Sequence, residues 1–525
     1  MEFTIFVLSK LTGLVVILHT EYLLQIFQQN RYELRRLKNW LFLVLKKQPK
    51  LVFIYLSIIL GEGLLYFINQ DLFLYGTIII NLFIILIIIR FYYKQKAIIA
   101  LNITARVKRQ IAVYGLLIVL SVYLSYRFNF WVYLTTIFSL ILPWIFLFLV
   151  GIITMPFEKL AHLSYMRKAK AILKKHQSLI KIGITGSYGK TSTKNILQEI
   201  LSAKYYSLMT PASYNTPMGI TITIRNHLKN IHQVFICEMG ADKVGEIKEL
   251  ANFVKPQYGI VTSIGYQHLA TFKNINNIIN EKMALIELLP KSGVAVLNRD
   301  EMFIRDYQIK NNCQIIWYSL VESDSDYQAV NIKYSLEGTS FLVKTKTQEA
   351  YQFKTTLLGK HNVANILAGI ALGRELGISW DTLQETVALI KQVKNRLELK
   401  KIFGLTFIDN SFNSNPVSVI ESLEVLSKMA GRRYIITPGL IDLGPIEDQE
   451  NKKFGLAMLG KVDTVILVGK KQTQAIYQGL KASGFDLNQV VIVDTTVAAF
   501  DYVRKEASKE DIILIENDLP DAFNW

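Results

Sequence analysis

Four long apolar runs before residue 156, a short strand entering Gly186-Ser187-Tyr188-Gly189-Lys190-Thr191-Ser192, and a steady alternation of strands and helical segments after residue 397 predict a multi-domain fold. In chain order this is an N-terminal α-helical transmembrane bundle, an α/β P-loop ATPase-like central domain and an α/β Rossmann-like C-terminal domain. The expected boundaries are 1–155 for the membrane region, 156–180 for a basic juxtamembrane linker, 181–396 for the central domain and 397–525 for the last. A chain of 525 residues has room for about three domains of ordinary size.

The runs Leu51–Asn69, Leu72–Tyr93, Ile111–Phe128 and Phe130–Met155 each approach the ~20 residues needed to cross a hydrocarbon layer. A fifth candidate, Phe3–Phe27, is interrupted by Lys10, His19 and Glu21 and reads as a span or an interfacial helix. It lacks a small-residue cleavage pattern and further spans follow it, so it is not read as a cleaved signal peptide. Basic residues crowd the connectors 28–50 and 94–110 and the stretch Lys159–Lys175, whereas the connectors near 70 and 129 are nearly free of them. The positive-inside rule places all three basic stretches, and the chain after them, in the cytoplasm of a multi-pass cell-membrane protein. Glu62 lies mid-span, where an ionisable group either contacts a headgroup or substrate or pairs inside the bundle.

The formal charge of +17 suggests nucleic-acid binding until its position is examined. Residues 1–180 hold 21 Lys and Arg against 6 Asp and Glu, leaving 38 against 36 for the remainder. The excess therefore reads as membrane topology, and no nucleic-acid partner is expected. Cys237 and Cys313 are too few for a disulfide framework and lack zinc-ligand spacing.

The linker carries Leu160, Leu163, Met166 and Leu173 at spacings compatible with one helical face among lysines, suiting a membrane surface. It leads to the strand Lys181–Thr185 and the lysine loop. Gly186 and Gly189 let backbone N–H groups wrap a phosphate, Lys190 can reach outer phosphate oxygens, and Thr191 can ligate Mg²⁺ at a helix N-terminus. The usual loop has glycine where Ile184 stands, five residues before Gly189. Beyond it, Glu238 ends the apolar strand of VFICEMGADKVGEI, and the strand Tyr258–Ile264 is followed by His268. Ligands gather at such strand ends in open α/β sheets.

TGSxGKTS after a strand resembles the loop of the Mur ligase family, and the following motifs occur in that family's order over residues 181–525. The similarity is greatest to the dipeptide-adding branch, with membrane spans replacing its UDP-binding domain. The resemblance implies ATP and one or two Mg²⁺ as cofactors, with Gly186, Ser187, Gly189, Lys190, Thr191 and Ser192 holding phosphates. It implies Glu238 and His268 as metal ligands, and Lys282 in INEKMALIELL as a lysine carbamylated to provide an anionic metal ligand. Asn362 and Asn365 in GKHNVAN are implied for the adenine and ribose region, Arg396 in VKNRLEL for phosphate, and Asp409 in FIDNSFNSNP for the nucleotide. The branch has a second acid and a tyrosine where this chain has Asn410 and Phe412, and the ending around Glu516–Asp521 lacks the usual Lys-Gly-Ser.

These features lead to an ATP-dependent ligase with Lys190, Glu238, His268 and Lys282 as catalytic residues. It would join a carboxylate of an envelope precursor, lipid-linked or close to the bilayer, to the amine of an amino acid or dipeptide. The alternatives are a P-loop ATPase driving transport or envelope assembly through the spans, and a catalytically silent regulator of wall synthesis.

Overall fold

The computed structural model describes residues 2–47, 49–94, 101–138, 141–267, 269–392, 395–411, 415–441, 443 and 446–517. They form two compact units, residues 1–165 and 166–525.

The first unit is helical: Glu2–Gln29, Leu34–Lys47, Pro49–Ile68, Gln70–Lys94, Ala105–Arg127, Asn129–Ile137 and the first part of Leu142–Lys175. Among the described residues, three helices are long and apolar enough to cross a membrane, Phe3–Gln29, Ala105–Arg127 and Leu142–Lys175. Shorter apolar stretches are Leu56–Ile68 and Leu72–Leu86. The run read as one span, 130–155, is divided between two helices, and the second starts with Pro143 in its first turn. Proline lacks an N–H and disfavours helix at the preceding residue, so it fits a helix start better than an uninterrupted span. The segment 156–175 is helical and continues this helix through Pro156 to Lys175.

The basic stretches meet at one end of this unit. Gln28 and Asn102 exchange two hydrogen bonds, at 2.9 and 3.0 Å. Arg109 donates both arms of its guanidinium to Glu158, at 2.7 and 2.9 Å, and Arg106 stacks 4.0 Å over the Tyr32 ring. The amphipathic helix Leu34–Lys47 buries Leu37 and stacks Trp40 on Trp144, while Arg35 and Lys38 are exposed. Glu62 is buried, and its Oε1 has no hydrogen-bond partner among the described residues.

The second unit contains two sheets. The strands of the first are β1 (Ile180–Thr185), β2 (Ser207–Met209), β3 (Val234–Glu238), β4 (Tyr258–Val261), β5 (Val294–Asn298), β6 (Gln314–Ser319), β7 (Tyr327–Ser335), β8 (Gly338–Thr345) and β9 (Ala350–Thr355). Their spatial order is β2-β3-β1-β4-β5-β6-β7-β8-β9, parallel through β7 with β8 and β9 antiparallel. One face packs against the helices Lys190–Ser202 and Lys360–Glu375, through Ile196, Ile200, Ile366 and Ile370. The other packs against Pro217–His227, Glu246–Val254 and Ile275–Glu287, through Ile220, Leu250 and Leu285. With both faces covered, β3 and β5 are apolar up to Glu238 and Asn298 at their tips, as a parallel sheet requires.

The second sheet has the order β10-β11-β15-β12-β13-β14, where β10 is Glu398–Ile402, β11 Leu405–Asn410, β12 Arg433–Thr437, β13 Thr464–Val468, β14 Val490–Val493 and β15 Ile512–Glu516. All neighbours are parallel except the hairpin of β10 and β11. Phe403 and Gly404 turn that hairpin with φ of 53° and 80°, the paired positive values that suit the twist of a two-residue turn.

Candidate active site

The chain leaves β1 for one side of the first sheet and later returns to form β4 on the other, so β1 lies between β3 and β4. Such a reversal opens a crevice at the carboxyl ends of the strands. Gly186–Lys190 follows β1, Glu238 ends β3, and Thr262–Gly265 follows β4.

The lysine loop is bound to the third of these segments. Ser187 N donates to the Ser263 carbonyl at 2.7 Å, Tyr188 N to Ser263 Oγ at 3.0 Å, and Gly265 N to Ser187 Oγ at 2.9 Å. A Cβ on Gly186, at φ 151°, would stand 2.1 Å from Thr262 Oγ1, so the close approach demands glycine. Gly189, at φ 80°, starts the helix Lys190–Ser202, which directs its free N–H groups into the crevice. Lys190 Nζ donates to the carbonyls of Gly186 and Ser187 at 2.7 and 3.0 Å. Burial lowers its pKa, against the opposing pull of Glu238 and Asp242.

Glu238 is 1% exposed and surrounded by donors. Thr191 Oγ1 lies 3.2 and 3.1 Å from its two carboxylate oxygens, Asn215 Nδ2 donates at 3.1 Å, and Lys194 Nζ pairs with it at 3.0 Å. Thr191 and Glu238 thus place a neutral and an anionic oxygen together, the donor set that a hard cation takes. No cluster of three His, Cys, Asp or Glu suited to a metal occurs among the described residues. Two protein oxygens nonetheless fit Mg²⁺, which usually draws its other ligands from water and substrate phosphates.

Lys282 is buried, and its Nζ lies 3.4 Å from the Ala241 carbonyl. Burial first, and then the charge of Lys190, lower its pKa to about 8, despite Glu281, Asp242 and Glu246. Glu281 itself accepts from the N–H groups of Gly245 and Ile247, both at 2.6 Å, and so fixes the turn after Glu238. Burial also lowers the pKa of Arg396, which feels the Glu238 charge.

The other expected residues separate into two groups. Ser192 is buried in the loop helix, and Asn365 Oδ1 accepts from Thr193 Oγ1 at 2.9 Å, directly behind Gly189. Asn362 instead donates to the Leu358 carbonyl at 2.8 Å within its own helix start, and its amide serves the backbone there. Asp409 pairs with Lys400 at 2.6 Å and accepts from Ser411 N at 3.0 Å. Burial pushes its pKa upward, but Lys400 and Ser411 outweigh this and leave it below the usual value. His268 and Phe412 lie outside the described residues.

Lys194, Asn215 and Asp242 were not singled out by the sequence reading. A lysine one helical turn after Lys190, on the face directed at the strand ends, was the available signal for Lys194. The glycine of CEMG was another: a Cβ on Gly240 would stand 2.7 Å from the Asn215 side chain. Gly240→Ala is expected to push Asn215 off Glu238 and lower kcat/KM by about 10- to 100-fold, the scale of an ångström-sized misplacement. Circular dichroism should remain unchanged in a variant affected only at the site.

The replacement of an acid by Asn410 has a local explanation. Asn410 Nδ2 donates to both oxygens of the fully buried Glu516, at 3.0 and 2.9 Å, and Ser422 Oγ donates to the same carboxylate. Aspartate at this position would set two buried carboxylates against each other. Asn410→Asp is expected to cost about 3 kcal/mol in urea unfolding at neutral pH. The penalty should shrink on acidification, because a carboxyl whose folded pKa is raised gives its stabilising proton up as pH rises.

Residues 184–373 match the Mur ligase middle domain and residues 395–516 the Mur ligase glutamate ligase domain. UDP-N-acetylmuramoyl-tripeptide–D-alanyl-D-alanine ligase of Bacillus subtilis is 29% identical over 352 residues, 66% of this chain and 75% of that protein. The Escherichia coli enzyme of the same name is 29% identical, over 56% of this chain and 65% of its own length, just under two thirds. Crystal structures of MurF from Acinetobacter baumannii and of the Thermotoga maritima MurF ligase with ADP superpose with TM-scores of 0.59 and 0.60. They are 23% and 21% identical, and cover 68% of this chain with 77% and 80% of theirs, so they establish likeness of fold.

Proposed function

The chain belongs to the Mur ligase family of ATP-dependent, amide-bond-forming ligases, and from this premise we propose that it extends a cell-wall precursor at the cytoplasmic face of a membrane. The amine is a dipeptide of the D-alanyl-D-alanine kind, after the relatives' names. The acceptor is a carboxylate of a peptidoglycan precursor, presented on a lipid or close to the bilayer. Three apolar helices of spanning length among the described residues and the convergence of the basic stretches at one end of their unit support this location.

The observation carrying the chemistry is the convergence of the lysine loop, Thr191 and Glu238 at the ends of β1 and β3. Lys190 leaves its two carbonyl partners for the β- and γ-phosphates of ATP, while the N–H groups of 186–192 enclose them. The acceptor carboxylate attacks the γ-phosphorus in line, giving an acyl phosphate and ADP. The neutral amine adds to the acyl carbon, and inorganic phosphate departs with the bonding electrons as the amide forms and the amine proton is lost. Thr191 and Glu238, with His268 and a carbamate on Lys282, would hold one or two Mg²⁺. Bound there, the metal supplies compensation for charge developing on the transferred phosphoryl group. Asn365 backs the loop, Arg396 adds positive charge near the phosphates, and Asp409 and Asn362 take the nucleoside side.

The test incubates the full-length protein with Mg²⁺-ATP, D-alanyl-D-alanine and either UDP-linked or lipid-linked muramoyl tripeptide, with products read by mass spectrometry. ADP and an amide-linked conjugate should appear together, only with both acceptor and amine, and with preference for the lipid-linked form. ADP release indifferent to the amine would instead favour a transport ATPase.

A further inference from the structure

We propose that Lys194 is the standing counter-ion of Glu238, making divalent-cation binding at that carboxylate conditional on a nucleotide. The inference rests on the reading of Glu238 as a metal ligand given above. Lys194 and Glu238 side chains are each 1% exposed and form an ion pair of 3.0 Å. The same ammonium donates to the Ala212 carbonyl. Ala212 has φ 43°, an uncommon left-handed conformation for a residue with a side chain. Three residues later in this loop, Asn215 donates to the other carboxylate oxygen.

The counter-ion is built in. Lys194 lies one turn beyond Lys190 on the loop helix, so its side chain rises toward the strand ends, and it is fully buried. Lys190, Lys194 and Arg396 all act on Glu238, while Lys282 acts on Lys190 and is itself faced by Glu281, Asp242 and Glu246. Before a nucleotide binds, the single carboxylate of Glu238 is thus faced by three cations. A divalent ion entering alone meets a carboxylate already compensated and one hydroxyl, with buried cations close by where charges interact strongly. The phosphates of ATP reverse that balance and supply the missing oxygen ligands. Lys194 would thus make the metal enter with the nucleotide, while keeping Glu238 ionised and aligned beforehand.

Binding of Mn²⁺ to the full-length protein, followed by electron paramagnetic resonance with and without ADP, tests this. The wild-type protein should bind Mn²⁺ at least about tenfold more tightly with ADP. Lys194→Met should raise nucleotide-free Mn²⁺ affinity about tenfold by exposing Glu238 to the ion. Lys194→Arg should behave as wild type, and Glu238→Gln added to Lys194→Met should remove the gain. Equal nucleotide-free binding by wild type and folded Lys194→Met would overturn the counter-ion role alone. If Lys194→Met does not fold, wild-type protein that binds Mn²⁺ equally with and without ADP still overturns it. Wild-type protein that binds Mn²⁺ under neither condition would remove both this role and the metal reading of Glu238.

Discussion

Lys190→Ala is expected to lower kcat/KM for amide formation by about 10³-fold while leaving the fold intact. The asymmetry follows from its contacts. Without nucleotide the ammonium donates to the carbonyls of Gly186 and Ser187 in its own loop. Replacing those bonds by water costs about 1 kcal/mol. In the transition state the same cation faces charge spread over the transferred phosphoryl oxygens, in a crevice where burial already lowers its pKa. Single-turnover rates with a fixed acceptor should fall, whereas the affinity for ADP should weaken only about tenfold, since backbone N–H groups continue to hold its phosphates. Full activity in this variant would dissociate the loop from the chemistry.

The parts of this site visible in the sequence are those encoded locally. A strand, its glycines and the first helical turn occupy consecutive residues 180–192, and the apolar strand ending in Glu238 likewise announces its own tip. The strands 433–437, 464–468 and 490–493 could be delimited for the same reason, each being a short β-branched run between polar turns. What escaped depends on strand order. Lys194 meets Glu238 because β3 lies beside β1, and Asn410 meets Glu516 because β11 lies beside β15 across 106 residues of sequence. Asn362 donates its amide N–H to the Leu358 carbonyl one turn back, a local contact that the motif GKHNVAN does not reveal. The division of the run 130–155 was marked by Pro143, a residue that hydropathy alone does not weigh against a span.

Lys282 gives the second large effect, and its physical basis is the low pKa of its amine. Burial and the neighbouring Lys190 bring it to about 8. Such an amine is about half unprotonated at pH 8, against well under one percent for a lysine at its ordinary value. Only the neutral amine can add to CO₂, forming an N–C bond and releasing a proton, so carbamylation should increase with pH through this range. The product exchanges a cation beside Lys190 for an anion. It thereby relieves the repulsion that helped lower the amine's pKa and adds an anionic oxygen donor beside Lys190. Enzyme depleted of CO₂ below pH 7 should therefore lose activity, and bicarbonate at pH 8 should restore it with a slow, concentration-dependent lag. Lys282→Ala is expected to lose about 10²- to 10³-fold in kcat, with bicarbonate having no effect. A variant retaining activity, or a wild-type enzyme indifferent to CO₂ across pH 6.5–8.5, would leave Lys282 as a buried structural cation and Glu238 with Thr191 as the metal's protein ligands.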